Sequence, residues 1–273
     1  MSDPIEHFKL AIAAAGLEAP VVIQADGAIH RFATGSRRGD DSGWYMMHTD
    51  GTPAGAFGCW RVGLQSTWCA KSDNAMTDAE RDAHRQRIKS MKAKREAELL
   101  ASHQHASETA AALWAKAEAA TSHLYLTAKG IKPHGVKSLA DKLLIPMRDT
   151  AGTVHSLQTI APDGTKMFMS GGRVKGCYFG IGKPKGALIV CENFATGTSI
   201  HECTGHAVAV AFNSGNLEAV AVALRDKFPT LKIIIAADDD HQTPGNPGMT
   251  KATAAAKATG AALAVPVFME ITA

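Results

Sequence analysis

The chain has 273 residues, 45% hydrophobic and 20% charged, and its 29 Lys and Arg against 26 Asp and Glu leave a net charge of +3. That length supports one large domain or two modest ones with real cores, and so small a charge excludes a uniformly basic nucleic-acid binder, so any basic footprint must be local. No apolar run approaches the ~20 residues of a membrane-spanning helix, the N-terminus lacks signal-peptide form, and five cysteines without a Cys-x-x-Cys pair read as reduced thiols; a soluble cytoplasmic protein with no membrane partner is expected.

Residues 1–20 read as a short amphipathic helix. Asp3-Pro4 opens it, Ile5, Phe8, Ile12 and Ala15 share one face, and Gly16 ends it. Residues 1–76 form a small β-rich module. Val21-Val22-Ile23 reads as a strand and Ile29 to Phe32 as its return, with a further strand over Trp44 to Met47 and a turn at Asp50-Gly51. Between them lies a glycine-rich basic loop, Gly35 to Asp40, that carries Arg37 and Arg38. Phe57, Trp60 and Trp68 come next, and with Arg31, Arg37, Arg38 and Arg61 they offer two readings. They can be the core of a small domain, or a surface that stacks on bases and grips phosphates. Cys59, Cys69, His30 and His48 match no compact zinc spacing, so zinc is not expected.

Residues 77–120 read as one long helix that opens on the capping box Thr77-Asp78-Ala79-Glu80. Its first half is basic, from Arg81 to Arg95. Its second half is rich in Ala and Glu, with Leu113 and Trp114 expected to dock on the next domain. Residues 121–186 form a second β-rich, basic segment, with a hairpin of Leu143–Asp149 and Val154–Gln158 around Ala151-Gly152. Gly171-Gly172 beside Arg173 suits close approach of backbone to a phosphate.

Residues 187–273 read as alternating strands and helices. Two short apolar runs, Leu188 to Val190 and Ile233 to Ile235, end abruptly in carboxylates: Glu192 after the first, Asp238, Asp239 and Asp240 after the second. Such runs suit strands buried on both faces of a parallel sheet, whose ligands bind beyond the carboxyl ends of the strands. The acidic clusters should therefore meet at one sheet edge, where like charges repel. A hard divalent cation relieves that repulsion and points to phosphoryl chemistry. His241, beside Asp240, is the histidine placed nearest such an ion.

This order of strand-Glu, helix, strand, helix and strand-Asp-x-Asp resembles the Toprim pattern of bacterial-type DNA primases, topoisomerases and some nucleases. Glu192 matches the family's glutamate, Asp238 and Asp240 match its Asp-x-Asp pair, and Gly245 to Ala252 look like the loop and helix that come after it in primases. Where the family places Gly after the glutamate this chain has Asn193, the residue that best tolerates Gly-like angles. Tyr125-Leu126 with Gly130-Ile131 resembles the opening of a primase core. His30 to Phe32, Ser42 to Tyr45 and Gly55 to Arg61 resemble the leading module of primases and primase-helicases from prophages, plasmids and other mobile elements, without the zinc cysteines found there.

The resemblance implies an α/β (α+β overall) fold. A Toprim-like parallel sheet flanked by helices (187–273) would be preceded by a β-rich basic subdomain (121–186), a long helix (77–120) and the small β-rich module (1–76), which can bind template. It implies a DNA primase that makes short RNA primers on single-stranded DNA from ribonucleoside triphosphates, beside a separate replicative helicase. Two Mg²⁺ or Mn²⁺ ions would be held by Glu192, Asp238 and Asp240, with Asp239 as a further ligand. Lys166, Arg173, Arg148 and Lys175 would line the template and nucleotide groove. The residues also leave open a Toprim metal-dependent nuclease and a non-catalytic module that binds single-stranded DNA. No Gly-x-x-x-x-Gly-Lys-Ser/Thr loop occurs.

Overall fold

The computed structural model describes residues 3–35, 39–71, 77–240 and 242–266. The chain divides into two units, 1–98 and 99–273.

In the first unit, α1 (Pro4–Ala14) starts because the Asp3 carboxylate accepts the N–H of Ile5 at 2.9 Å and Pro4 presets the first turn. Gly16, with φ of 81°, turns the chain away. Phe8 and Ile12 are fully buried on a four-stranded antiparallel sheet of β1 (His30–Phe32), β2 (Gly43–His48), β3 (Ala54–Cys59) and β4 (Leu64–Cys69), in that order. The Phe8 ring meets Tyr45, Phe57 and Trp68 at centroid distances of 6.2, 5.7 and 5.5 Å. Most of the aromatics are therefore core.

Val21-Val22-Ile23 is not a strand. Its expected partner β1 pairs with β2 instead, His30 opposite Tyr45. Val21 and Val22 are 88% and 69% exposed while only Ile23 is buried. The segment is tied down by one bond, from the Gln24 N–H to the Tyr45 hydroxyl at 2.9 Å. β-branched residues favour a strand only where a neighbouring strand and a buried face exist.

The long helix, α2 (Asp78–Lys116), runs 39 residues and supplies both units. In the second unit its Ala110, Leu113 and Trp114, with Ala117 just past its end, pack on Leu144 and Leu157. Those two leucines belong to a five-stranded antiparallel sheet, β5 (Glu118–Ala119), β6 (Lys137–Leu139), β7 (Lys142–Arg148), β8 (Val154–Ile160) and β9 (Lys166–Phe168). A one-turn helix, α3 (Leu124–Lys129), buries Tyr125 and Leu126. No described helix is long and apolar enough to cross a membrane.

The remaining sheet has the order β10 (Phe179–Ile181), β12 (Ala207–Val210), β11 (Ala187–Cys191), β13 (Lys232–Ala236) and β14 (Ala262–Ala264). All pairs are parallel except β10 with β12. Side chains alternate across it. Ile189, Cys191, Val208 and Val210 face the antiparallel sheet and Phe194 of α4 (Phe194–Thr204). Leu188, Val190, Ile233 and Ile235 face α5 (Leu217–Lys227) and α6 (Pro247–Thr259). Each such buried aliphatic contributes roughly 1.5–3 kcal/mol. β10 lies within the stretch that the sequence joins to the preceding β-rich segment, yet it completes this sheet.

Asn216, 3% exposed, ends a 3-10 turn over Ser214–Asn216 and joins three segments. Its amide donates to the carbonyls of Cys177 and Ala211, both at 2.9 Å, and accepts the N–H of Gly176 at 2.8 Å. Truncation leaves those backbone groups unpaired, so Asn216→Ala should cost about 2–4 kcal/mol. A lowered urea midpoint at unchanged slope would show it; an unchanged midpoint would refute the clamp.

Candidate functional site

Parallel pairing of β11 with β13 sets Val190 opposite Ile235. That register carries Glu192 level with Ala237, one residue before Asp238, so the two acidic clusters emerge at one edge. The backbone N–H of Ser214 lies near enough to the Glu192 carboxylate to favour its charged form. Asp238 Oδ2 accepts the Asn193 side-chain amide at 3.0 Å, and the oxygen of that amide accepts Lys166 Nζ at 3.4 Å. Lys166 opens β9, so a cation from the antiparallel sheet is linked to a carboxylate of the parallel one through Asn193. The backbone of Asn193 is extended, with φ of −107° and ψ of 148°. The Gly-like angles expected of it are not used. Its side chain, at the N-cap of α4, makes no cap bond and serves Asp238 instead.

Asn246 orders the other acids. With φ of 41° it takes the left-handed form that Asn tolerates. Its oxygen accepts the Asp240 N–H at 3.0 Å and caps α6 through Met249, while its amide N–H reaches Asp239 at 2.7 Å. The Gly248 N–H donates to Asp240 Oδ2 at 3.2 Å, a carboxylate at a helix start where it is favoured.

The acids strain one another. Burial pushes Glu192 above the ordinary carboxylate range, Asp238 and Asp240 push it further, and the Ser214 N–H and Lys166 offset part of this. Burial likewise raises Asp238, against the Asn193 hydrogen bond; Asp240 adds to the rise and Lys166 opposes it. Burial and the charge of Lys129 lower Lys166, while Glu192 and Asp238 support its protonated form. Among the described residues no three His, Cys, Asp or Glu side chains are drawn together tightly enough to hold an ion, and Oδ2 of Asp238 and of Asp240 accept from Asn193 and Gly248 respectively. The donor chemistry nevertheless fits a hard divalent cation: oxygen ligands only, mutually repelling, with raised proton affinity at Glu192 and Asp238.

Two clefts adjoin this centre. One, of about 610 Å³, is lined by Thr196, Ile200, Asp238, Asp239 and Asp240. The other, of about 480 Å³, is lined by Tyr125, Lys129, Gly164 and Lys166.

The remaining sequence candidates lie elsewhere. Arg148 donates to the Gly152 carbonyl at 2.8 Å and lies over the Trp114 ring. Arg173 pairs with Asp149 at 3.4 Å, which also binds His155 at 2.7 Å. Lys175 is exposed. The room at Gly171 and Gly172 is filled by the chain's own Ser102 and Ser156 rather than left open for a phosphate. Arg37, Arg38 and His241 fall outside the described residues. Sequence reasoning missed Asn246, Gly248 and the bridging role of Asn193. Only Asn246-Pro247-Gly248 left a signal, as a helix start.

A parallel sheet carrying Glu and Asp-x-Asp at its carboxyl edge is the arrangement of a Toprim domain, and residues 187–271 match the family model described as Toprim domain. Two curated relatives from Escherichia coli, both named DNA primase TraC, are 37% and 35% identical to this chain over 93% and 97% of its length. The chain covers 25% and 20% of theirs, a quarter or less. The primase fragment of the bacteriophage T7 primase-helicase protein aligns with a TM-score of 0.43 at 16% identity, over 57% of this chain and 68% of that one.

Proposed function

We propose that this chain is the catalytic part of a DNA primase that joins ribonucleotides on a single-stranded DNA template. The observation that carries the reading is the meeting of Glu192, Asp238 and Asp240 at one sheet edge, with Lys166 linked to them through Asn193. The identity with two proteins named DNA primase TraC supports it.

Glu192, Asp238 and Asp240 would hold two Mg²⁺ or Mn²⁺ ions, with Asp239 beside them. Bound there, such ions polarise a triphosphate and lower the pKa of an attacking 3′-hydroxyl. Lys166 places a positive charge where the triphosphate oxygens gather. Asn193 holds Lys166 and Asp238 in register, and Asn246 and the α6 N-terminus hold Asp239 and Asp240. The cleft lined by Lys129 and Lys166 would offer an anionic nucleotide two cations, one of them the Lys166 that Asn193 links to Asp238. A separate helicase and a cytoplasmic location accord with such a substrate.

The test is primer synthesis from labelled ribonucleotides on mixed-sequence single-stranded DNA, with and without Mg²⁺ or Mn²⁺. Short labelled products that need both template and metal are expected. Metal-dependent shortening of the template without products would replace this reading with a nuclease. Template binding with neither reaction would leave a non-catalytic module.

A further inference from the structure

The first unit holds cations that its own carboxylates do not neutralise. Arg61 is bonded to Asp40 at 2.7 Å, Arg87 to Asp50 at 3.3 Å and Arg81 to Asp78 at 2.8 Å. Arg31 and Arg95 have no carboxylate partner among the described residues. Both instead lie against Trp60, their guanidinium carbons 5.3 and 4.8 Å from the ring centroid, and Arg95 also covers Trp44 at 4.3 Å. The two arginines are close enough that the charge of Arg31, after burial, lowers the pKa of Arg95.

Three elements build the arrangement: Arg31 from β1, Trp60 just beyond β3 and Arg95 from α2. The Trp60 backbone N–H donates to the Ser42 carbonyl at 3.0 Å, which ties the main chain at Trp60 to the sheet. Trp44 is buried and its ring lies 5.9 Å from that of Trp60, yet Trp60 remains 45% exposed. A crevice of about 110 Å³ opens beside Arg95, with Trp44 and Met46 in its wall and Gln65, Thr67 and Lys92 as its polar groups. Cation–π contact holds both guanidiniums at the indole but leaves their charge without a carboxylate among the described residues. The arrangement suits a ligand that alternates flat rings with negative charge.

We propose that Arg31, Trp60 and Arg95 form a grip for single-stranded nucleic acid, with a phosphodiester drawn to the two guanidiniums and a base stacked on the exposed indole. Stacking on an aromatic face beside a basic groove holds single strands without regard to sequence. An acidic peptide would satisfy the arginines and leave the indole unused. The grip deepens the proposed function by placing the template on the first unit; it rests on that reading only for the identity of the strand and makes no use of the carboxylates.

The test is binding of the full chain to a short fluorescein-labelled oligothymidine in EDTA, by anisotropy over a range of salt. Arg31→Gln with Arg95→Gln should weaken binding at least about tenfold and flatten the salt dependence by about 1.4 in log–log slope, the share of two phosphates on a single strand. Trp60→Leu should weaken oligothymidine by about tenfold while leaving an abasic phosphodiester oligomer unchanged. Arg31→Lys with Arg95→Lys keeps both charges and should retain most of the binding, which separates lost charge from lost fold. Wild-type affinity in the Gln and Leu variants overturns the proposal. So does failure of the unaltered chain to bind, or a site that takes polyglutamate in preference to oligothymidine. Binding that needs these arginines in a chain that makes no primers would sink the primase reading and keep the grip. Primers made by a chain whose Gln variants bind normally would do the reverse.

Discussion

Asp238→Asn is expected to stop primer synthesis and, at the same time, to raise the melting temperature of the metal-free protein at neutral pH. On the proposed reading the substitution removes a carboxylate that would hold an ion supplying several kcal/mol of charge stabilisation, a loss of at least about 100-fold in rate. The opposite sign of the stability change comes from the raised pKa of Asp238. An acid whose pKa rises on folding holds its proton more tightly in the folded chain than in the unfolded one. Its carboxylate form therefore opposes folding, and stability is lost as pH climbs from the ordinary carboxylate range through the raised value. Asparagine keeps the shape without the charge, and it can still accept the Asn193 amide. Melting curves of both proteins at mildly acidic and neutral pH, with and without Mg²⁺, would check this. The advantage of the variant should shrink on acidification and reverse when Mg²⁺ is added. A variant less stable than the parent at neutral pH without metal would show that Asp238 is held comfortably ionised.

Gly248→Ala should be nearly as damaging to activity, by another route. Gly248 is the second residue of α6, and a Cβ there would run into the backbone carbonyl of Asp238 and approach Oδ2 of Asp240 at 2.8 Å. The nearest obstacle is main chain and cannot rotate away, so helix and acidic loop must part. Overpacking of this kind costs about 1–3 kcal/mol, and a shift of ~1 Å in a reacting group can cost about 100-fold in rate. The two losses are separable. The urea midpoint reports the first, and primer yield from fully folded protein reports the second. Full activity in the folded variant would mean that the Gly248 contact does not set the position of Asp240.

Part of the second unit was legible because two of its strands, β11 and β13, are short apolar runs that stop just before carboxylates. β11 and β13 each extend their apolar run, Leu188 to Val190 and Ile233 to Ile235, by one residue at either end, and helices follow β11 and precede β13 as the alternation predicts. What stayed hidden depends on residues distant in sequence. Lys166, Asn193 and Asp238 share hydrogen bonds that no local pattern encodes. Asn193 was legible as a substitute for glycine by backbone, whereas its side chain is what the site uses. Three-residue β10 owes its place to pairing with β12 rather than to its own composition. Val21-Val22 shows the converse, strong strand propensity without a partner.

The parallel pairing of β11 with β13 also bears on the order in which the chain matures. The β7–β8 hairpin closes through neighbours in sequence, whereas β11 and β13 can pair only after the intervening α4, β12 and α5 have been laid down. Loop-closure entropy makes such non-local parallel contacts slow to form. Glu192 and Asp238 therefore come together only once the central sheet has closed, so a partly folded chain, however much hairpin it already holds, lacks the acidic centre.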